Sequence, residues 1–187
     1  MNILITRPLI DAEDLMGKLF SLGHKIIHIP TLKIIPAKLD PVDIKQFNAF
    51  IFTSANAVRN LKVTEQDMNK LCFCVGSMTE KIARSKGYNN TISAGGTVNA
   101  LKNLIINSSQ INEKSKIAYF CGDNVSYDLD VELKKDGITT SKIVNYFSEK
   151  ITDLNEQNKK IIESHPPDII FVYSARSALS FLEIVKN

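Results

Sequence analysis

Asn48-Ala49-Phe50-Ile51-Phe52-Thr53-Ser54-Ala55-Asn56-Ala57-Val58 is the stretch that decides the fold. The apolar run over 49–53 predicts a strand buried on both faces, and Ser54 stands where a helix over 55–61 begins. A strand that runs straight into a serine-capped helix leaves backbone N–H groups pointing into the space beyond the strand, which favours an anion there. The pattern returns 120 positions later (174 minus 54) as Ile169-Ile170-Phe171-Val172-Tyr173-Ser174-Ala175-Arg176-Ser177-Ala178. Two strand–Ser-Ala–helix corners suggest two related halves facing one ligand.

Toward the N-terminus, residues 2–6 read as a strand, and Pro8 suits the first turn of the helix that follows. Ala12, Leu15, Leu19 and Leu22 recur at helical spacing, with Gly23 as the stop. A strand over 25–29 completes a βαβ unit. Pro30, Pro36 and Pro41 then bracket Leu32-Lys33-Ile34-Ile35, which reads as an extended connector between domains. Residues 43–47 make at most a short helix.

Toward the C-terminus, strands and helices alternate. A capped turn is expected at 64–67 and a strand at 71–75. Ser77 and Glu80 have the spacing of a capping box for a helix stopped by Gly87. Gly95-Gly96-Thr97 leads into a helix with Val98, Leu101, Leu104 and Ile105 on one face. A strand over 116–120 enters the loop Gly122-Asp123-Asn124, and a helix over 125–136 is closed by Gly137. Residues 138–147 are strand-like. A polar helix over 153–164 stops at Pro166-Pro167. The strand over 168–173 and a helix carrying Leu179, Phe181, Leu182 and Val185 complete the pattern.

The 187 residues suffice for one large domain or two small ones, and 44% hydrophobic with 23% charged is globular composition. No apolar run reaches the ~18 residues of a membrane span. Met1-Asn2-Ile3-Leu4-Ile5 enters a strand directly, without the basic flank of a signal peptide. Cys72, Cys74 and Cys121 lie inside apolar runs, as reduced thiols of a cytoplasmic protein do, and Cys72-x-Cys74 has no neighbouring ligand for a metal. A net charge of +3 without a basic stripe gives no sign of a nucleic-acid partner.

Strand–helix alternation predicts an α/β protein with parallel sheets covered on both faces, wound in the flavodoxin-like manner. Right-handed crossovers put the strand-end loops along one sheet edge, making Arg7-Pro8, Thr53-Ser54, 76–79, 122–124 and 174–176 the default ligand surface.

Ile5-Thr6-Arg7-Pro8, Ile29-Pro30, Phe52-Thr53-Ser54-Ala55-Asn56-Ala57-Val58, Val75-Gly76-Ser77-Met78-Thr79, Gly96-Thr97 and the late Tyr146 form an ordered set that resembles uroporphyrinogen-III synthase. The resemblance implies two flavodoxin-like parallel-sheet domains joined by a two-stranded extended linker. Residues 1–33 and 153–187 would form a discontinuous first domain, 34–38 and 146–152 the linker strands, and 39–145 the second domain. The family continues beyond the Ser174 turn with a further strand and helices. The first domain is therefore expected to be incomplete here, truncated at its C-terminus and small for an independent core.

The family cyclises hydroxymethylbilane, a linear tetrapyrrole with eight carboxylates, to uroporphyrinogen III. Water is lost and the last pyrrole is inverted, without metal or cofactor. The substrate's cation forms easily, so the protein's work is to fold the chain and help the hydroxyl leave. By resemblance Tyr146 is the hydroxyl-assisting residue, since a phenol can donate a proton to a leaving hydroxyl. Read alone, it is a strand tyrosine with its hydroxyl in water.

The resemblance and the strand-end positions together give Arg7, Thr53, Ser54, Gly76, Thr79, Gly122, Ser174 and Arg176 as substrate-binding residues. Arg7 and Arg176 supply planar guanidinium groups suited to carboxylates. The expected partner is the small-molecule substrate alone, bound by a monomer. A second reading keeps the same two-domain shape for a non-catalytic module that holds an anionic metabolite, or for an inactive truncated homologue. A sugar-nucleotide transferase lacks its Gly-rich phosphate loop here.

Overall fold

The computed structural model describes residues 1–38 and 44–186. In chain order its first elements are β1 (Asn2–Ile5), α1 (Leu9–Ser21), β2 (Lys25–His28), β3 (Leu32–Pro36) and a 3-10 turn at Ile44–Gln46. Then come β4 (Ala49–Phe52), α2 (Ala55–Arg59), β5 (Leu71–Cys74), α3 (Ser77–Ser85), β6 (Thr91–Ser93), α4 (Val98–Ile106) and β7 (Lys116–Gly122). The last are α5 (Leu129–Lys135), β8 (Thr139–Lys150), α6 (Glu156–Ser164), β9 (Ile169–Phe171) and α7 (Ala175–Ile184). The chain divides into two units, Met1–Ile35 with Ser148–Asn187, and Pro36–Phe147.

In the first unit β2, β1 and β9 form a parallel three-stranded sheet in that order. Alternation along β1 sends Leu4 into one apolar cluster with Ile27, Phe181 and Ile184, and Ile3 and Ile5 into another with Ala12 and Leu15. Helix α7 therefore covers one face and α1 the other. Buried hydroxyls tie α7 to the strand ends. Ser177 Oγ lies 3.1 Å from Thr6 Oγ1 and 2.8 Å from Thr31 Oγ1. Ser180 Oγ donates to the carbonyls of Thr31 (2.9 Å) and Ile151 (3.0 Å). Among the described residues β9 has a neighbouring strand on one side only, and its Ile169 and Ile170 are exposed.

In the second unit β8, β7, β4, β5 and β6 lie side by side in that order. The pairs β7–β8, β4–β7, β4–β5 and β5–β6 are all parallel. All four residues of β4 are fully buried, as a strand apolar on both faces requires. Phe50 and Phe52 pack with Tyr88 and Phe120 on the side of α2 and α3. Ala49 and Ile51 pack with Leu101 and Ile105 of α4 and with Leu129 and Leu133 of α5.

This winding differs from the flavodoxin-like order expected. Counted from β4, the strands run 3-2-1-4-5, whereas a flavodoxin-like sheet runs 2-1-3-4-5. The reason is that α2 and α3 both cover one face and carry the chain outward to β6. Only then does α4 cross the other face to set β7 beside β4. The point of reversal lies between β4 and β7.

The two Ser-Ala corners form as the sequence predicts. Ser54 accepts from the Asn56 amide and Ser174 from the Ser177 amide, each as an N-cap. Their strands also have matching neighbours, since β4 pairs with β7 and β7 with β8, while β9 pairs with β1 and β1 with β2.

Several local expectations are corrected. The Ser77–Glu80 capping box does not form. Gly76, with an extended backbone, is the N-cap, so Ser77 lies inside α3 and Glu80 accepts instead from Arg84 and Thr91. The helix expected over 125–136 begins only at Leu129, and the one expected over 153–164 begins at Glu156 behind the Asn155 cap. Strand β6, three residues long, is too short to register as a period. Of the helix expected at 43–47, Asp43 lies outside the described residues, as does Pro41 of the connector.

Candidate functional site

At the C-terminal ends of β4 and β7, where the winding reverses, the second unit holds a cavity of about 150 Å³. Crevices outside the strand ends at such a switch point are where open α/β sheets bind ligands. Its wall is formed by Thr53, Ser54, Val98, Tyr119, Gly122, Asn124, Val125, Ser126, Tyr127 and Tyr146.

Each wall residue arrives for a local reason. The ladder of β4 ends at Phe52, so Thr53 and Ser54 turn out of the sheet and Ser54 caps α2 with its hydroxyl 3.1 Å from the Asn56 amide. Tyr119 sits in β7 opposite Ile51, and its ring extends toward the strand end until its hydroxyl lies 3.2 Å from Thr53 Oγ1. Asn124 lies in the expected loop, and residues 125–127, expected as the start of a helix, extend that loop.

Tyr146 is set by a bulge. Cys121 pairs with Val144 but Gly122 pairs with Tyr146, so Asn145 is the extra residue of β8. Buried Asn145 donates from Nδ2 to the Ala57 carbonyl at 2.7 Å, while the Tyr146 carbonyl accepts from the Asp123 amide at 3.1 Å. The bulge thus fixes the backbone on both sides of the Tyr146 ring. Gly122 leaves the ring its space, because a Cβ there would lie 2.7 Å from Tyr146 Cε2 and Cζ.

No charged side chain lines the cavity among the described residues. Burial pushes the Tyr119 phenol above the ordinary range, and the bond to Thr53 only partly opposes it, so its proton stays in place. Burial also pushes the nearby Cys121 thiol up to about 11. Among the described residues no three His, Cys, Asp or Glu side chains gather as metal ligands. The cavity is therefore a neutral, hydroxyl-lined pocket able to donate and accept hydrogen bonds.

Of the residues singled out in the sequence, Thr53, Ser54, Gly122 and Tyr146 come together here. Gly76 and Thr79 do not. Gly76 caps α3 where a Cβ would sit 3.4 Å from Gly96 Cα, and Thr79 is buried in the first turn. Arg7, Ser174 and Arg176 belong to the first unit. The Arg7 guanidinium lies 4.3 Å above the Tyr173 ring, Ser174 caps α7, and Arg176 donates to the Ser148 carbonyl. Tyr119 was missed because Ile117-Ala118-Tyr119-Phe120-Cys121 reads as core. The usable signal was a phenol three residues from the strand's end.

A family model described as Uroporphyrinogen-III synthase HemD matches residues 13–187. Among solved structures, the uroporphyrinogen-III synthetase from Helicobacter pylori superposes with a TM-score of 0.63 at 20% identity, over 97% of this chain and 76% of that one. A mutant uroporphyrinogen III synthase from the extremely thermophilic bacterium Thermus thermophilus gives 0.59 at 12% identity, over 98% and 77%. At such identities these likenesses speak for the fold. A comparison with curated proteins found no match. With the family model covering nearly the whole chain, this protein belongs to the uroporphyrinogen-III synthase family.

Proposed function

We propose that this chain closes hydroxymethylbilane to uroporphyrinogen III, losing water and inverting the last pyrrole, as a step of tetrapyrrole (haem) biosynthesis. What carries the reading is the family match over residues 13–187. Tyr146 donates its phenolic proton to the departing hydroxyl. The carbon–oxygen bond breaks, its electron pair leaves with the water, and the cation spreads through the pyrroles. When ring closure later releases a proton from carbon, the phenolate takes it back. The bulge at Asn145 and the space over Gly122 support this role, because both hold the ring at the cavity wall.

Thr53, Ser54 and Gly122 contact the substrate from the same wall, with Gly76 and Thr79 as further binding positions. Arg7, Ser174 and Arg176 meet carboxylates, supported by the reach of two guanidinium groups beside strand-end turns. Residues 34–38 and 146–152 act as linker strands, a reading supported by the chain's passage from unit to unit within β3 and β8. The three cysteines are free and buried, which suits a monomer working in a reducing cytoplasm.

The test uses hydroxymethylbilane made in place by its own synthase, with the product isomers separated after oxidation. Type III product is expected. Type I product alone, the result of spontaneous closure, would reject the enzyme reading.

A further inference from the structure

We infer that Tyr119, paired with Thr53, is a second hydrogen-bonding anchor of the cavity, and that the cavity receives the neutral hydroxymethyl end of the substrate rather than a carboxylate. The inference rests on the synthase reading of the chain.

Three of the chain's five tyrosines, Tyr119, Tyr127 and Tyr146, line one cavity of about 150 Å³. That volume has room for one end of a linear tetrapyrrole and not for its four rings. Among the described residues none of the lining side chains is charged. A carboxylate brought there would lose its water without gaining a cation, whereas a neutral hydroxyl finds donors and acceptors of its own kind. The substrate's carboxylates find no cation in this wall, and the hydroxymethyl group is the part of the substrate that matches it.

Within that wall Tyr119 differs from the other two phenols. Its residue is 1% exposed, yet it contributes to the cavity wall and its hydroxyl lies 3.2 Å from Thr53 Oγ1, itself a residue of that wall. Core filling alone does not demand this. Tyr88, equally buried, has a hydroxyl that meets no partner among the described residues, so this fold tolerates a phenol packed for its ring alone. Each hydroxyl offers one hydrogen and two lone pairs, so the bond between Tyr119 and Thr53, together with the contact of Tyr119 with the Cys121 thiol, still leaves hydroxyl capacity for a further partner. Burial keeps the phenol protonated, so the pair works as a neutral holder and Tyr146 remains the proton donor. While Tyr146 passes its proton to the hydroxyl oxygen and the carbon–oxygen bond breaks, Tyr119 and Thr53 hold that oxygen, first as hydroxyl and then as the released water.

The test compares Tyr119→Phe, Thr53→Val and the double variant with the unaltered full chain in the hydroxymethylbilane assay, alongside melting temperatures. Phenylalanine keeps the ring in the core, so folding is preserved. Tyr119→Phe is expected to lower kcat about tenfold with KM little changed, and to raise the share of type I product. The double variant should be no slower than the slower single one, because the two hydroxyls act as one unit. An unaltered chain making type III while Tyr119→Phe keeps its kcat and isomer ratio would overturn this assignment alone. A rise in KM without loss of kcat would likewise remove Tyr119 from the departing oxygen. An unaltered chain giving only type I would overturn the synthase reading, and this inference with it.

Discussion

The ring of Tyr146 occupies the volume that any side chain at position 122 would need. A Cβ on Gly122 would lie 2.7 Å from two ring carbons and 2.9 Å from the phenolic oxygen. Contacts below about 3 Å between such atoms are not tolerated, so one of the two groups has to give. β7 is buried around Gly122, whereas Tyr146 is half-buried at the cavity wall, so it is the ring that moves. Gly122→Ala is therefore expected to keep the fold and lose about 10²-fold in kcat/KM through misplacement of the phenol. Melting temperature and the isomer assay on the same preparation check both halves. Unchanged kinetics would show that the ring's position is immaterial.

Tyr146→Phe asks the complementary question, because it leaves the ring over Gly122 and removes only the oxygen. If the phenol supplies the proton, kcat falls by about 10²-fold or more while stability stays within about 0.5 kcal/mol. Denaturant midpoints and single-turnover rates separate the two effects. A variant as fast as its parent would leave the leaving hydroxyl without help from this residue.

What could be read from the sequence was what is decided locally. Ser54 and Ser174 are caps because a strand end followed by Ser-Ala leaves amides for the serine oxygen to satisfy, and no distant residue is consulted. Tyr146 came from family resemblance, and the bulge that aims it was invisible, since it depends on how β8 pairs with β7. The strand order failed for the same reason. Nothing local in α4 says which face of the sheet it will cross. Ser77 and Glu80 have the spacing of a capping box, but Gly76 takes the cap and Thr91, eleven residues on, takes the carboxylate. The stacking of Arg7 on Tyr173 joins residues from opposite ends of the chain, and only the pairing of β1 with β9 brings them together.

The buried carboxylate of Asp67 gives a prediction in acid. Its Oδ2 accepts from the Thr64 hydroxyl at 2.7 Å and the Thr64 amide at 3.2 Å, and its Oδ1 lies 3.3 Å from Lys70 Nζ. Burial works against the charge, but the Thr64 and Lys70 hydrogen bonds outweigh it and hold the group below its ordinary 3.8. A depressed carboxylate stabilises the fold fully above its ordinary value and progressively less as pH falls toward the folded-state one. Asp67→Asn is expected to cost about 3 kcal/mol at neutral pH, by leaving Lys70 without its partner charge. The gap between variant and parent should narrow below pH 3.8. Urea midpoints measured at pH 7 and pH 3 test this, and a gap independent of pH would assign the loss to packing instead.

Alkali acts on the second unit in the opposite sense. Burial pushes the Cys121 thiol up to about 11 and the Cys74 thiol up to about 12, from an ordinary 9.0, and drives the Tyr119 and Tyr88 phenols upward as well. Each of these groups holds its proton more tightly when folded than when unfolded. Their stabilisation is therefore intact below pH 9 and is lost as pH climbs through the folded-state values. Every such group steepens the decline by up to about 1.4 kcal/mol per pH unit until it ionises. Cys121→Ala removes one of them at the cost of a small cavity between β7 and α5. Under reducing conditions that variant should begin less stable than its parent at pH 7, by about 1 kcal/mol. It should then lose stability more slowly between pH 9 and 11, so that the two curves converge. Parallel curves across that range would mean that the Cys121 thiol ionises no later in the folded chain than in the unfolded one.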